Sequence, residues 1–352
     1  MSAAVRAFLG LTGARLPIVQ APMANFAGVE LAIAALSAGG VGSLPCAVLD
    51  PDMIVEQARA VRDAAVGPIN LNFFAHRLGS QPDDAAWRER LTPFYAAEGV
   101  GPPDTPPPLR RPFDEDTCAA VETVRPEIVS FHFGLPDAAL LARVRATGAK
   151  VFGNATNVAE ARYLAQHGCD AIIAQGFEAG GHAGHFLRGH RPIGLFALIP
   201  QVADATGLPV IAAGGIADER GAAAAIALGA GAVQAGTAYL VAPESKTSVV
   251  HRAALAGASA DDSLFTNLFT GGLARGLRNK LIETLGAIDA DTPPFPYASA
   301  ALAALKARAE AEGRGDYSSL WAGQGVALAR AEPAMTITER LGMAALNAGT
   351  PA

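Results

Sequence analysis

Two histidines stand where a chain could use them for chemistry. His182 lies in AIIAQGFEAGGHAGHF, Ala171 to Phe186, where an apolar run breaks into glycines on both sides of the imidazole. His132 lies in SFHFG, Ser130 to Gly134. An imidazole takes or gives a proton near neutral pH, so His182 is the expected general base. Gly180 and Gly181 before it would let backbone approach a flat ligand closely. The bland alternative is a loop histidine bonded to a carbonyl, and the glycines argue against it. For His132 a site role and a hydrogen-bonded core role weigh equally. His182, His185 and His190 do not read as metal ligands, because no carboxylate or cysteine stands in register with them. His76, His167 and His251 lack such a context and are expected to be structural or exposed.

Such residues need regular elements to hold them. Eight short apolar runs begin at Pro17, Gly40, Pro68, Glu127, Lys150, Ala171, Pro209 and Ala232 (AVQAGTAYL). Most alternate little, which suits parallel strands buried on both faces. Helical patterns lie between them, at Val29–Ala38, Pro51–Ala65, Asp137–Thr147, Val158–His167 and Asp218–Leu228. Glycines follow these as stops, and Asn157 and Asp218 are expected N-caps. The repeat predicts a (β/α)8 barrel in preference to a doubly wound open sheet.

Barrels of this kind place chemistry at the C-terminal strand ends. There the sequence offers Gln20, Met23, Ser43, Asn70, Asn72, His132, Asn154, Thr156, Gln175, Glu178, His182 and Gln234. Amides and hydroxyls outnumber carboxylates, which fits a neutral, hydrogen-bonding ring system better than a metal hydrolase. Two glycine loops follow the last strands: Gly214-Gly215 in AAGGIADERG, and Gly236-Thr237 in QAGT. Bare backbone N–H groups there make an anion cradle and imply a phosphate-bearing cofactor.

The totals narrow the class. Of 352 residues 51% are hydrophobic and 17% charged, and the net charge is −6. That balance speaks against a nucleic-acid partner. Cys46, Cys118 and Cys169 form no CxxC pair and read as reduced and buried. No signal-peptide pattern opens the chain, so a cytoplasmic protein is expected. Gly221–Pro243 is uncharged, yet it reads as a helix, a turn and a strand and not as a membrane span. An insertion at 79–112 holds an expected helix at Ala85–Glu98 and a Pro-rich stretch; a surface excursion is favoured over a lid. An extension at 243–352, helical at Ala298–Glu312, is expected to pack on the barrel, giving one domain over 1–352.

Seven stretches together resemble the nitronate monooxygenase family, class I branch. They are PIVQAPMA, NLNFF, SFHFG, QGFEAGGHAGHF, VIAAGGIADERGAAAAIALGAGAVQAGTAYL, FTGGLARGLRN and SLWAGQG, in order from Pro17 to Gly325. The resemblance implies flavin mononucleotide (FMN) in a (β/α)8 barrel. It implies oxidation of alkyl nitronates such as propionate 3-nitronate with O2, through a flavin semiquinone, to a carbonyl compound and nitrite. It places the flavin against Ala21, Pro22, Met23, Asn72, Gln175, Gly180, Gly215 and the segment Gln234, Ala235, Gly236, Thr237. His182 matches the catalytic histidine of the family and His132 a second one. Three departures stand out. Gly272 and Leu273 replace an Arg-Pro pair, Tyr239 stands in TAYL at an expected strand end, and Tyr297 falls near the family's tail aromatics. An NAD(P)H-dependent FMN reductase, of enoyl-acyl-carrier-protein or quinone reductase type, is the nearest rival, since it shares EAGGH and AAGGIAD. A barrel that binds flavin without turnover is the rival from another class. SFHFG, ARGLRN and WAGQG favour the nitronate branch, and the strand-end histidines argue against a pure binder. The sequence does not fix an oligomeric state.

Overall fold

A computed structural model describes residues 1–102, 109–187, 189 and 191–348. Eight strands form one parallel sheet: Ile18–Gln20, Gly42–Pro45, Ile69–Phe74, Ile128–His132, Lys150–Ala155, Ala171–Gln175, Val210–Ala213 and Ala232–Ala235. Each pairs with its neighbour, and the first also pairs with the eighth. The ring closes between the first two, where the Val41 N–H donates to Ile18 O at 2.9 Å and the Gln20 N–H to Val41 O at 3.0 Å. The fold is a (β/α)8 barrel.

Strand side chains point alternately inward and outward. Val19, Val41, Ile128, Phe152, Ile173 and Ile211 share the inner cluster. Val129, Val151, Ile172 and Val210 face the surrounding helices. Both faces are therefore apolar, which is why the runs scarcely alternate. An N-terminal helix that the patterns did not reveal, Ala3–Thr12, puts Phe8 into the inner cluster and closes that end of the barrel.

Helices alternate with the strands, and two caps form as expected. Asn157 accepts from the Glu160 N–H and Asp218 from the Gly221 N–H. The helix after the eighth strand comes from the far end of the chain. Ala334–Ala348 packs between Glu219–Ala227 and Val29–Ala38. The eighth strand is shorter than expected: it stops at Ala235, and Thr237–Leu240 is one helical turn. Tyr239 therefore is not at a strand end. It is fully buried, and its hydroxyl pairs with Thr338 Oγ1 at 2.7 Å, tying that turn to the last helix.

The insertion and the extension build a second core. Helix Ala85–Glu98 buries Trp87 and Leu91 against Leu268, Leu281, Leu302, Leu305 and Tyr317. Tyr95 donates to Ala301 O at 2.6 Å, and Glu98 accepts from Arg314 at 2.6 Å and from Tyr317 at 2.9 Å. The expected surface excursion is thus corrected for this helix: large apolar side chains at Trp87, Leu91 and Phe94 need a partner, and the extension supplies it. The Pro-rich residues 103–108 and His190 lie outside the described residues. Cys46, Cys118 and Cys169 are free and buried. Among the described residues no helix is long and apolar enough to cross a membrane.

Trp87 is the test of this second core. Trp87→Ala should lower unfolding free energy by about 3–5 kcal/mol, the usual cost of such a truncation, measured by urea titration. A loss below about 1 kcal/mol would detach the helix from the cooperative unit.

Candidate active site

The sixth strand leads straight into the site. Beyond Gln175 the chain turns and forms a two-residue strand, Gly181–His182, paired antiparallel with Ala274–Leu277 of the extension. Gln175 holds that loop with both ends of its amide. Its Nε2 donates to His182 O at 2.8 Å, and its Oε1 accepts from the Gly184 N–H at 2.8 Å and from Asn154 at 3.1 Å. His182 Nε2 lies 2.9 Å from Thr270 Oγ1. The imidazole is thus fixed from its backbone and from one ring nitrogen.

Aromatic rings surround it. Phe295 stands 5.1 Å from the His182 ring, Trp321 5.6 Å, Phe133 6.1 Å and Phe74 6.4 Å, between centroids. Burial in this setting drives the His182 pKa well below its usual 6.5, and the charge of Arg110 and the histidines His132 and His76 push the same way. His132 is pushed down to about 4, chiefly by burial. Both imidazoles are neutral at pH 7 and so able to accept a proton.

Both line one open cleft at the C-terminal ends of the barrel strands. Ala21, Pro22, Met23, Asn72, Gln175, Gly180, Gly181, Gly214, Gly215, Gln234, Gly236 and Thr237 also line it. Ala235 does not: strand alternation turns it into the core between sheet and helices. The wall has a second set of residues that sequence reasoning did not select, Phe74, Arg110 and Trp321. Trp321 carries a signal, since it opens the WAGQG stretch. Arg110 carries none, because it follows the Pro-rich segment. His76 was expected to be structural or exposed. It is packed and not exposed, beside the site and 4.9 Å from Phe295, with both ring nitrogens buried.

The departures also find places. A side chain on Gly272 would meet the His182 ring at 3.3 Å and Phe295 at 3.2 Å, so both rings pack closely over this glycine. Tyr297 does not reach the His182 ring cluster; its hydroxyl donates to Gly79 O at 2.7 Å, and Phe295 takes the place beside His182. The glycines serve packing as well as access. A Cβ on Gly180 would lie 2.6 Å from Gly323 N, and one on Gly325 2.5 Å from Gly215 O. The WAGQG loop therefore lies directly on the loops after the sixth and seventh strands. Gly181 alone of this set has open space around its Cβ position and a φ of +74°.

A family model described as "Nitronate monooxygenase" matches residues 7–342. The chain belongs to the nitronate monooxygenase family. It is 40% identical to a nitronate monooxygenase of Paraburkholderia phytofirmans over 348 residues, covering 96% of this chain and 94% of the relative. Among solved structures, a nitroalkane oxidase from Streptomyces ansochromogenes is 34% identical, with a TM-score of 0.85 over 97% of this chain and 98% of that one. FabK from Thermotoga maritima shares the fold at 27% identity, with a TM-score of 0.74 over 96% and 95%. The nitronate monooxygenase family is flavin-dependent in general, and this chain is an oxidoreductase of that family.

The tail that carries Trp321 has its own pH dependence. His251 is buried and its Nε2 lies 3.0 Å from Trp321 O. Its folded pKa is pushed from 6.5 down to about 4, mainly by burial. Between those values the unfolded chain binds the proton and the folded chain does not, so stability falls as pH drops from about 6.5 to about 4. His251→Gln keeps a donor for Trp321 O and cannot titrate. Its urea midpoint should decline less than wild type between about pH 7 and pH 4.5; an equal decline would place the acid sensitivity elsewhere.

Proposed function

We propose that the protein is an FMN-dependent nitronate monooxygenase that converts alkyl nitronates, such as propionate 3-nitronate, with O2 to a carbonyl compound and nitrite. The observation that carries this reading is a neutral, anchored imidazole, His182, on the wall of a cleft bounded by glycine loops and free of carboxylates among its described lining residues. The cleft fits a flavin. Gln234 lines it with a buried Oε1 that has no protein partner, an acceptor that a ring N–H would satisfy. Gly214, Gly215 and Gly236 leave backbone open at the loops where a phosphate would lie. Ala21, Pro22, Met23, Asn72, Gln175, Gly180 and Thr237 would hold the rest. When bound, the flavin supplies the electron transfer and the reaction with O2. Three free, buried cysteines suit a reducing, cytoplasmic compartment.

The side chains account for binding and proton movement. Phe74, Phe295 and Trp321 keep water from the reacting carbon. For a neutral nitroalkane, His182 removes the α proton. Protonating an imidazole beside Arg110, His132 and His76 is unfavourable alone. The same step creates a nitronate anion next to the new imidazolium, and the pair offsets the cost. For a nitronate already ionised, no proton needs to move and the imidazole only positions the anion.

His182→Asn should therefore depress kcat/KM for a nitroalkane by about 10²-fold or more, in the range of a lost general base, and for the matching nitronate far less. Equal losses on both would remove the base assignment. In wild type, the acid limb of the nitroalkane pH profile should lie below pH 6.5, since burial and Arg110 hold His182 deprotonated. The cofactor is checked by mass spectrometry of the released chromophore and by anaerobic titration with propionate 3-nitronate. Bleaching of the flavin by the nitronate supports the reading; rapid bleaching by NADH or NADPH alone would favour the reductase.

A further inference from the structure

Among the described residues Arg110 is a cation without a counter-ion. Its side chain lines the cleft, its Nε is buried with no hydrogen-bond partner, and no carboxylate of the described residues acts on it. Its neighbour Arg111 behaves in the ordinary way, pairing with Asp114 at 2.5 Å and Asp116 at 3.5 Å. The segment is pinned by the Phe113 N–H, which donates to Phe74 O at 2.8 Å, and by the Asp114 capping box that starts helix Glu115–Val124. These anchors leave Arg111 to the Asp114 and Asp116 carboxylates and Arg110 in the cleft. Among the described lining residues there is no lysine, no other arginine, no aspartate and no glutamate.

The position separates Arg110 from the phosphate cradle. Arg110 follows the third strand and Gly214-Gly215 the seventh. In the closed ring of eight these strands stand opposite each other. Arg110 is instead near the histidines, since its charge acts on both His182 and His76. A half-buried guanidinium whose Nε is enclosed without a partner matches a planar group with two charged oxygens, which an arginine can bind through two parallel N–H bonds. A nitronate is such a group. His182, being neutral, contributes no charge to hold it.

We propose that Arg110 binds the anionic end of the substrate and makes this site select nitronates over the neutral nitroalkanes of the same skeleton. The proposal rests on the monooxygenase reading for the identity of the anion, but not for the presence of an anion site. Its test uses the holoprotein and Arg110→Met. The nitronate-to-nitroalkane ratio of kcat/KM should fall by about tenfold or more, as for loss of a charge-assisted contact. Arg110→Lys, which keeps the charge and loses the fork, should restore part of it. Removing this charge should also move the acid limb of the nitroalkane pH profile upward, because Arg110, with His132 and His76, faces His182; a merely structural change would not do so.

Nitrite, a planar monoanion with two oxygens, serves as the direct probe by calorimetry on the resting protein. Binding to wild type that weakens about tenfold or more in Arg110→Met supports the site. Equal nitrite binding in both, or an unchanged selectivity ratio with full flavin content, overturns it. If wild type turns over no nitronate at all, the functional reading fails, and the nitrite titration still decides whether Arg110 is an anion receptor.

Discussion

A pairing two residues long fixes the candidate active site. Gly181–His182 hydrogen-bonds along Ala274–Arg275, and the Ala183 N–H continues the ladder to Leu273 O at 2.9 Å. Arg275 locks the arrangement. It is 1% exposed, with its guanidinium 4.5 Å from the Phe177 ring and 4.3 Å from the Phe265 ring. Its Nε donates to Phe177 O at 3.0 Å and its Nη1 to Ser263 O at 2.7 Å. One side chain thus joins the loop after the sixth barrel strand to the extension. Burial lowers its pKa only to about 10, so it stays charged at neutral pH. Glycine-flanked backbone has little reason to choose one conformation by itself. The extension gives it one, and Thr270 of the same extension then sets the ring.

The barrel contributes rigidity at the mouth. Asn72 donates to Ser130 Oγ at 2.9 Å, Asn70 to Ser43 Oγ at 3.0 Å, and Asn154 to Gln175. Each of these amides bonds to a side chain on a neighbouring strand, so it cannot rotate freely toward whatever enters. Among the described lining residues, Gln234 Oε1 is a buried acceptor and Arg110 Nε a buried donor left without a partner. A buried acceptor left open among neighbours that are closed marks where a ligand completes the bonding. Gln175 shows the other use of a strand-end amide: it is spent on the His182 loop, so its role is to position the histidine as much as to touch a cofactor.

The barrel was legible because its signals are local. Each strand is a short apolar run, each helix has its own cap or glycine stop, and chain order follows ring order. His182 was legible for the same reason, as a histidine beside glycines at the end of such a run. What escaped depends on contacts distant in sequence. Phe8 closes the barrel from a helix with only an ordinary amphipathic pattern. Phe295, two residues before the aromatic that the stretch PFPYAS brings to notice, is the one beside His182. Arg110 is placed by Phe113 and Asp114, which say nothing of an inward cation. The glycines carried two messages at once. Gly180 is bare because the extension's backbone lies on it, and Gly325 of the extension because the Gly215 backbone lies on it, whereas Gly181 faces open space. A sequence cannot distinguish the approach of a ligand from the approach of another loop.

The electrostatics of the cleft follow from its apolar walls. Rings around His182 lower its pKa by excluding water, and the same exclusion strengthens any charge interaction inside. A more exposed histidine would be a stronger base in the resting protein, but the anion it produced would be poorly held. Here the resting base is weak because a proton has no counter-charge, with Arg110 and two further imidazoles nearby. On the proposed reading, abstraction of the α proton would produce imidazolium and counter-anion together, so the unfavourable protonation would be relieved in the step that requires it. Under the same proposal, an anion that arrives ready-made would meet Arg110 without needing that step. One arrangement would then treat the two protonation states of a substrate differently. The cause would be the placement of one cation, unpaired among the described residues, beside neutral imidazoles.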